Sequence, residues 1–244
     1  MLFAVIAGVM FFAFRTPPSC FDKVQNQDEL GVDCGGSCSA VCQSEVIPLV
    51  KRWQRFFKMG EGRYDVVAWI DNPNINFGIS KFKYRLALYD EKNVFIAERL
   101  GEVFLNPNEE KVIFEAEVET GNRVPKKAFL TEYKPEEQVW ERITPDPKRP
   151  VLRVGNKNLK EGASPKISAD IINDSPRDAE GVNVVVVAYD ESGNAIAASA
   201  TNIDVISKNS TEIAFFSWPA SFGAKVANYD IFPRVNLTSS GAKK

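Results

Sequence analysis

Every second position is apolar in two stretches of the chain that lie one hundred residues apart. Phe82, Tyr84, Leu86 and Leu88 occupy every second position of the first, and Val182, Val184, Val186 and Ala188 take the same places in the second. A period of two is that of a strand with one buried face. Each strand runs into Tyr-Asp-Glu (Tyr89 to Glu91, Tyr189 to Glu191) and then a turn carrying Asn93 or Gly193-Asn194, as a hairpin would. The correspondence continues at offsets of 100 to 101. Ile167, Ala169 and Ile171 stand for Val66, Ala68 and Ile70; Ile206 stands for Leu105; Ile213 and Phe215 stand for Val112 and Phe114.

The repetition predicts two tandem domains, residues 61–143 and 151–238. In the first, strands are expected at 64–70, 82–88, 94–99, 101–105, 112–118 and 129–140. Asn72-Pro73-Asn74 and Asn106-Pro107-Asn108 form turns between them. The second opens with its own strand at 151–154. Short strands with turn signals every eight to twelve residues or so imply antiparallel sandwiches. Pro145, Pro147 and Pro150 make residues 144–150 a stiff linker, which predicts a stalk with a small interface between the domains.

Residues 44–60 break the alternation. Val46, Leu49, Val50, Trp53, Phe56 and Phe57 recur at three- and four-residue steps, with Lys51, Arg52, Arg55 and Lys58 on the other side, before Gly60 and Gly62. That spacing predicts an amphipathic helix packed on the first domain as a collar. Its basic face offers an alternative role, meeting anionic lipid headgroups. Residues 1–15 are apolar up to Arg15 and end at Pro17-Pro18. Fourteen helical residues span about 21 Å, less than the roughly 30 Å of a hydrocarbon core. The reading is an incomplete membrane anchor in an apolar helix. Residues 239–244 are a polar tail.

All four cysteines, Cys20, Cys34, Cys38 and Cys42, fall within residues 16–43. A four-cysteine zinc site would place them as two separated short-spaced pairs, which Cys20 does not fit. Beside a membrane anchor the compartment is oxidising, so two disulfides are the favoured reading, with all three pairings open. Asp22, Asn26, Asp28 and Asp33 are candidate calcium ligands in the loop between. They lack the alternation of an EF-hand loop, so solvated turn residues are the favoured account and no metal is assigned.

The pattern of Asp22, Asn26, Glu29, Gly31, Asp33, Cys34, Gly35, Gly36, Cys38 and Cys42 resembles a cysteine-rich motif of microbial surface proteins, including those of candidate-phylum bacteria. Lys23 departs from it, where glycine often stands. Ile70-Asp71-Asn72-Pro73 followed by Leu88-Tyr89-Asp90 resembles the FxLYD-like and related immunoglobulin-like domains of bacterial envelope proteins. Ala188 replaces the leucine in the second copy. These resemblances imply an exported protein and two tandem antiparallel immunoglobulin-like β-sandwiches, a mainly β fold, without implying an activity.

Composition narrows the chemistry. The chain has no histidine, which removes the usual general base and the commonest zinc ligand. Its net charge of −2 gives no basic field for nucleic acid. No Walker loop, dinucleotide fingerprint or Gly-x-Ser-x-Gly elbow is present, and no cofactor or catalytic residue is assigned. The acids Asp90/Glu91 and Asp190/Glu191 recur in both domains, as turn residues do. Trp69, Phe216 and Trp218 are the candidate partner surface, with burial under the Trp53 element as the default for Trp69. The expectation is a non-enzymatic, membrane-anchored spacer or binding module for a protein or glycan. The alternatives are a subunit of an envelope assembly, docking through its apolar N-terminus, and an extracellular hydrolase that works with carboxylates.

Overall fold

The computed structural model describes residues 19–144 and 149–238. The predicted anchor, most of the predicted linker and the tail lie outside these residues. Among the described residues no helix is long and apolar enough to cross a membrane. The chain divides into two compact units, Met1–Val46 and Ile47–Lys244.

The described part of the first unit has almost no regular structure. It holds an isolated bridge between Gly31 and Cys34 and a 3-10 turn at Gln43–Glu45. Its buried side chains are Glu29, Cys38, Val41 and Cys42, while Phe21, Val24, Leu30 and Val32 are exposed. Cys20 is joined to Cys38 and Cys34 to Cys42, an interleaved pairing that selects one of the three left open by the sequence.

The second unit is built from antiparallel strands: β1 (Val50–Gly60), β2 (Arg63–Asn72), β3 (Phe77–Tyr89), β4 (Phe95–Leu105), β5 (Glu109–Glu119), β6 (Lys127–Glu132), β7 (Trp140–Arg142), β8 (Leu152–Lys160), β9 (Lys166–Asn173), β10 (Ala179–Tyr189), β11 (Ala195–Ile206), β12 (Ser210–Ser217) and β13 (Asn228–Arg234). The first seven form sheets β1-β2-β5 and β4-β3-β6, with β7 also on β3; the last six form β8-β9-β12 and β11-β10-β13. The strand order is therefore repeated, and the residues matched at offsets of 100 to 101 occupy equivalent rungs. Trp69 pairs with Val112 and Asp170 with Ile213; Val67 pairs with Phe114 and Ser168 with Phe215. Phe82, Tyr84, Leu86 and Leu88 are all buried, as are Val182, Val184, Val186 and Ala188.

Three expectations are corrected. Residues 50–60 are not a helix but strand β1, paired with β2 along its length. Both faces of β1 are covered: Phe56 meets the Tyr64 ring at 5.9 Å, while Trp53 and Phe57 point the other way into a second cluster. A strand half-covered on both faces has no clean period of two, and the register shift between Lys51 and Trp53 brings the spacing close to a helical one. The strands expected at 94–99 and 101–105 are one strand, β4. Gly101 passes so close to Tyr84 that a Cβ would stand 2.3 Å from its hydroxyl oxygen, so the glycine lets the strand continue rather than break. The closing strand expected at 129–140 is two strands, β6 and β7, separated by a 3-10 turn at Pro135–Glu137.

The stalk is also overturned. The outer face of β1-β2-β5 packs directly on the outer face of β11-β10-β13. Val67 and Val112 from the first set share a buried cluster with Val185, Val187 and Ala198 from the second. Trp69 lies in this seam, 5.6 Å from the Trp53 ring and 5.0 Å from Phe232. Arg52 closes its rim, its guanidinium 5.3 Å from the Trp69 ring and 2.7 and 3.0 Å from Asp71 and Glu110. The sequence accounts for which faces meet. Arg85 and Ala87 occupy on β3 the positions that Val185 and Val187 occupy on β10, and Arg85 is ion-paired to Glu98. Burying that pair would cost more than burying valine.

Candidate functional site

The predicted calcium ligands serve the knot's backbone instead of converging on a point. Asp22 Oδ1 accepts from Val24 N (2.9 Å), and its Oδ2 from Asn26 Nδ2 (2.9 Å), a bond that holds the Asp22 carboxyl below its ordinary pKa. Both Asp33 oxygens accept from Lys23 N, and Asp28 Oδ1 accepts from Ser37 Oγ at 2.7 Å. Cys20, Glu29 and Cys38 do gather, but the two sulfurs are bonded to each other. Lys23 has φ +62°, a left-handed conformation that favours glycine. Gly36 is required for a different reason: a Cβ there would sit 2.1 Å from the Asp28 carbonyl oxygen.

The repeated acids are turn residues. Asp90 Oδ1 accepts from Lys92 N and Val94 N, and Asp190 Oδ1 accepts from Ser192 N and Asn194 N. The backbone bonds from Val94 and Asn194 lead the causes that lower both carboxyl pKa values. The buried asparagines that end β2 and β9 are repeated too, Asn72 having been expected only to form a turn. Asn72 Nδ2 donates to the carbonyls of Phe77 and Asn106; Asn173 Nδ2 donates to those of Arg177, Ile206 and Ser207. Each amide ties the crossover between its two sheets to the end of the neighbouring strand.

A buried cation links the two strand sets. Lys111 is 5% exposed, with Nζ 3.8 Å from the Phe104 ring centroid and donating to Asn183 Oδ1 at 3.3 Å. Burial lowers its pKa from the ordinary 10.5 to about 8, against the attraction of Glu109 and with a small push from Arg234. The folded state thus releases this proton more readily than the unfolded chain. Between about pH 8 and 10.5 the unfolded chain binds more protons, so stability rises with pH; below pH 8 the full penalty, about 3 kcal/mol, is present. Lys111→Met should remove the penalty and lose the ring contact and hydrogen bond, for a net gain of about 1–2 kcal/mol at pH 7. Urea denaturation checks this: the midpoint should rise at pH 7, and the gain should vanish at pH 10.5.

The predicted partner surface is corrected. Phe216 and Trp218 are 3% and 4% exposed in the core of the second strand set, and Trp218 Nε1 donates to the Ala198 carbonyl at 3.0 Å. Trp69 is half-buried in the seam. The aromatic residue left outside is their neighbour Phe215, 68% exposed. An exposed Phe215 between buried Ala214 and buried Phe216 follows from alternation along β12.

Phe215 lies in a groove of about 370 Å³ on the outer face of β8-β9-β12, lined also by Asn158, Lys160, Lys166, Ser168 and Ser217. The register lays these out in two rows across the sheet: Lys160, Lys166 and Ser217, then Asn158, Ser168 and Phe215. This face is the counterpart of the one that forms the seam in the first set. There the equivalent positions hold Phe57, Val67 and Phe114; here they hold Lys160, Ser168 and Phe215. A second, smaller groove near Arg149, Pro233 and Arg234 contains Glu109, whose carboxylate is 3.0 Å from Arg234 Nε.

No family model matches the chain, and no curated protein matches it. Among solved structures, a β-glucuronidase from glycoside hydrolase family 2 has a similar region at 11% identity and a TM-score of 0.21, covering 71% of this chain and 24% of that one. A likeness of that size carries no argument about fold or activity.

Proposed function

We propose that the chain is an exported, non-enzymatic envelope protein, tethered by its apolar N-terminus, in which two FxLYD-like immunoglobulin-like sandwiches form a binding module. The observation that carries this reading is the pair of disulfides holding together a segment with almost no apolar core. Such a segment keeps its shape only in an oxidising compartment. The repeated strand order supports the tandem sandwiches, and the open groove of the second supports binding. Because the two sets are held together by an apolar seam, the module presents its groove as one rigid body rather than at the end of a stalk.

The test is expression of the full chain in a bacterial host, followed by fractionation and alkylation of free thiols before lysis. The protein should sit in the membrane fraction, open to external protease, with no alkylated cysteine. Deleting residues 1–14 should release it unchanged in oligomeric state. A cytoplasmic protein with four reactive thiols overturns the reading. Loss of an oligomer on deletion overturns it in favour of an envelope assembly subunit.

A further inference from the structure

From the outer face of β8-β9-β12 we infer that the groove beside Phe215 binds a carboxylate-bearing carbohydrate, such as an oligomer of uronic acid. This deepens the binding part of the function proposed above and rests on it.

The first argument is electrostatic. Lys160 and Lys166 are directly opposite one another across β8 and β9. Like charges so placed repel, and neither is ion-paired among the described residues. Elsewhere this protein neutralises its cross-strand charges: Arg85 meets Glu98 across β3 and β4, and Arg52 meets Asp71 across β1 and β2. The nearest acid of the same face, Asp170, is taken by Asn156 Nδ2 at 2.7 Å. A bound carboxylate would be the missing counter-ion, reached by both ammonium groups at once.

The second argument is the company the lysines keep. In the next row stands Phe215, an exposed ring at the same rung that Phe114 occupies in the covered seam. An exposed ring offers a flat apolar surface to the C–H face of a sugar. Asn158, Ser168 and Ser217 around it supply an amide and two hydroxyls, each able to donate and accept as sugar hydroxyls require. A protein partner would instead need the apolar side chains that Val67 and Phe57 provide at these positions in the first set, and the chain has replaced them with serine and lysine.

The experiment is calorimetric titration of the purified full chain in mild detergent with oligogalacturonate and with the same oligomer methyl-esterified. Oligogalacturonate should bind, and esterification should weaken binding about tenfold or more, since it removes the charge alone. The double variant Lys160→Ala with Lys166→Ala should lose a similar factor, and Phe215→Ala should weaken both oligomers about equally. All three positions are exposed, so the variants should keep the parent melting temperature. Absence of binding, binding equal for the two oligomers, or affinity untouched by the lysine substitutions overturns the assignment. So does equal lysine-dependent binding of poly-glutamate or of vesicles rich in anionic lipid, which would make the face a general anion surface. None of these results bears on where the protein is fractionated, so this inference can fail while the envelope reading stands.

Discussion

Reduction of the two disulfides should unfold residues 19–46 entirely and leave residues 47–238 folded. The segment is too small to bury a core, and what it does bury is largely the cystines themselves, with Val41 and Glu29. The bridges close spans of 18 and 8 residues, which in the chain-entropy picture contribute about 2–3 kcal/mol each. They interlock, so that neither half of the segment is held once both are open. The other contacts are hydrogen bonds without an apolar core behind them, and those of the Asp22, Asp28 and Asp33 carboxylates go to exposed backbone and hydroxyl groups that water serves nearly as well. Hydrogen–deuterium exchange before and after a mild reductant is the measurement. Amides of residues 28–45 should move to the rate of an unfolded chain, with those of β2, β3, β9 and β10 unchanged. Retained protection of Cys34 or Cys38 amides in the reduced protein would show that something other than the bridges defines the knot.

Asn173→Ala should cost about 3–4 kcal/mol, as much as truncating a large core side chain. The residue is fully buried, and its Nδ2 donates to three carbonyls at 2.7, 3.0 and 3.3 Å while Oδ1 accepts from Ser175 N and Oγ. Alanine removes the donors and takes this partner from the carbonyl of fully buried Ile206. Asn72→Ala should cost nearly as much, because Asn72 spans the same junction with the carbonyls of Phe77 and Asn106. Asn173→Asp should be worse than alanine at neutral pH, since it aims a carboxylate at three carbonyl oxygens. Urea denaturation followed by tryptophan fluorescence checks all three. A loss under about 1 kcal/mol for either alanine variant would mean that the crossover is held by packing alone.

Phe82 to Leu88 was readable because Lys83 and Arg85 mark a wetter face against the buried one, and Val182 to Ala188, buried on both faces, was readable through its match to that copy. The copies also confirm each other at a fixed offset. β1 was unreadable for the converse reason: Phe56 is covered by its own strand set and Trp53 and Phe57 by the other, so no period survives. The seam was hidden by the prolines between the sets, which describe the local stiffness of the chain and say nothing of where its two ends dock. The groove was missed because the run Phe215 to Trp218 drew attention to its bulkiest members. Parity along β12 sends Phe216 into the core and Phe215 out, and the Lys160 to Lys166 pairing exists only across the β8–β9 hairpin. Asn72 and Asn173 illustrate a last blind spot: asparagine before a turn looks the same whether its amide faces water or three carbonyls.

The seam joins two unlike surfaces, and an association of that kind does not close on itself. Repeated with the same rotation it would run on as a ring or a fibre, one module after another. The series stops at two because both leftover faces are charged where the joined ones are oily. One carries the Arg85–Glu98 pair, the other Lys160 and Lys166. The lysines therefore act as one end-stop and the Arg85–Glu98 pair as the other, and only a variant made apolar on both faces, at Lys160 and Ser168 and at Arg85 and Glu98, would be a building block for a polymer.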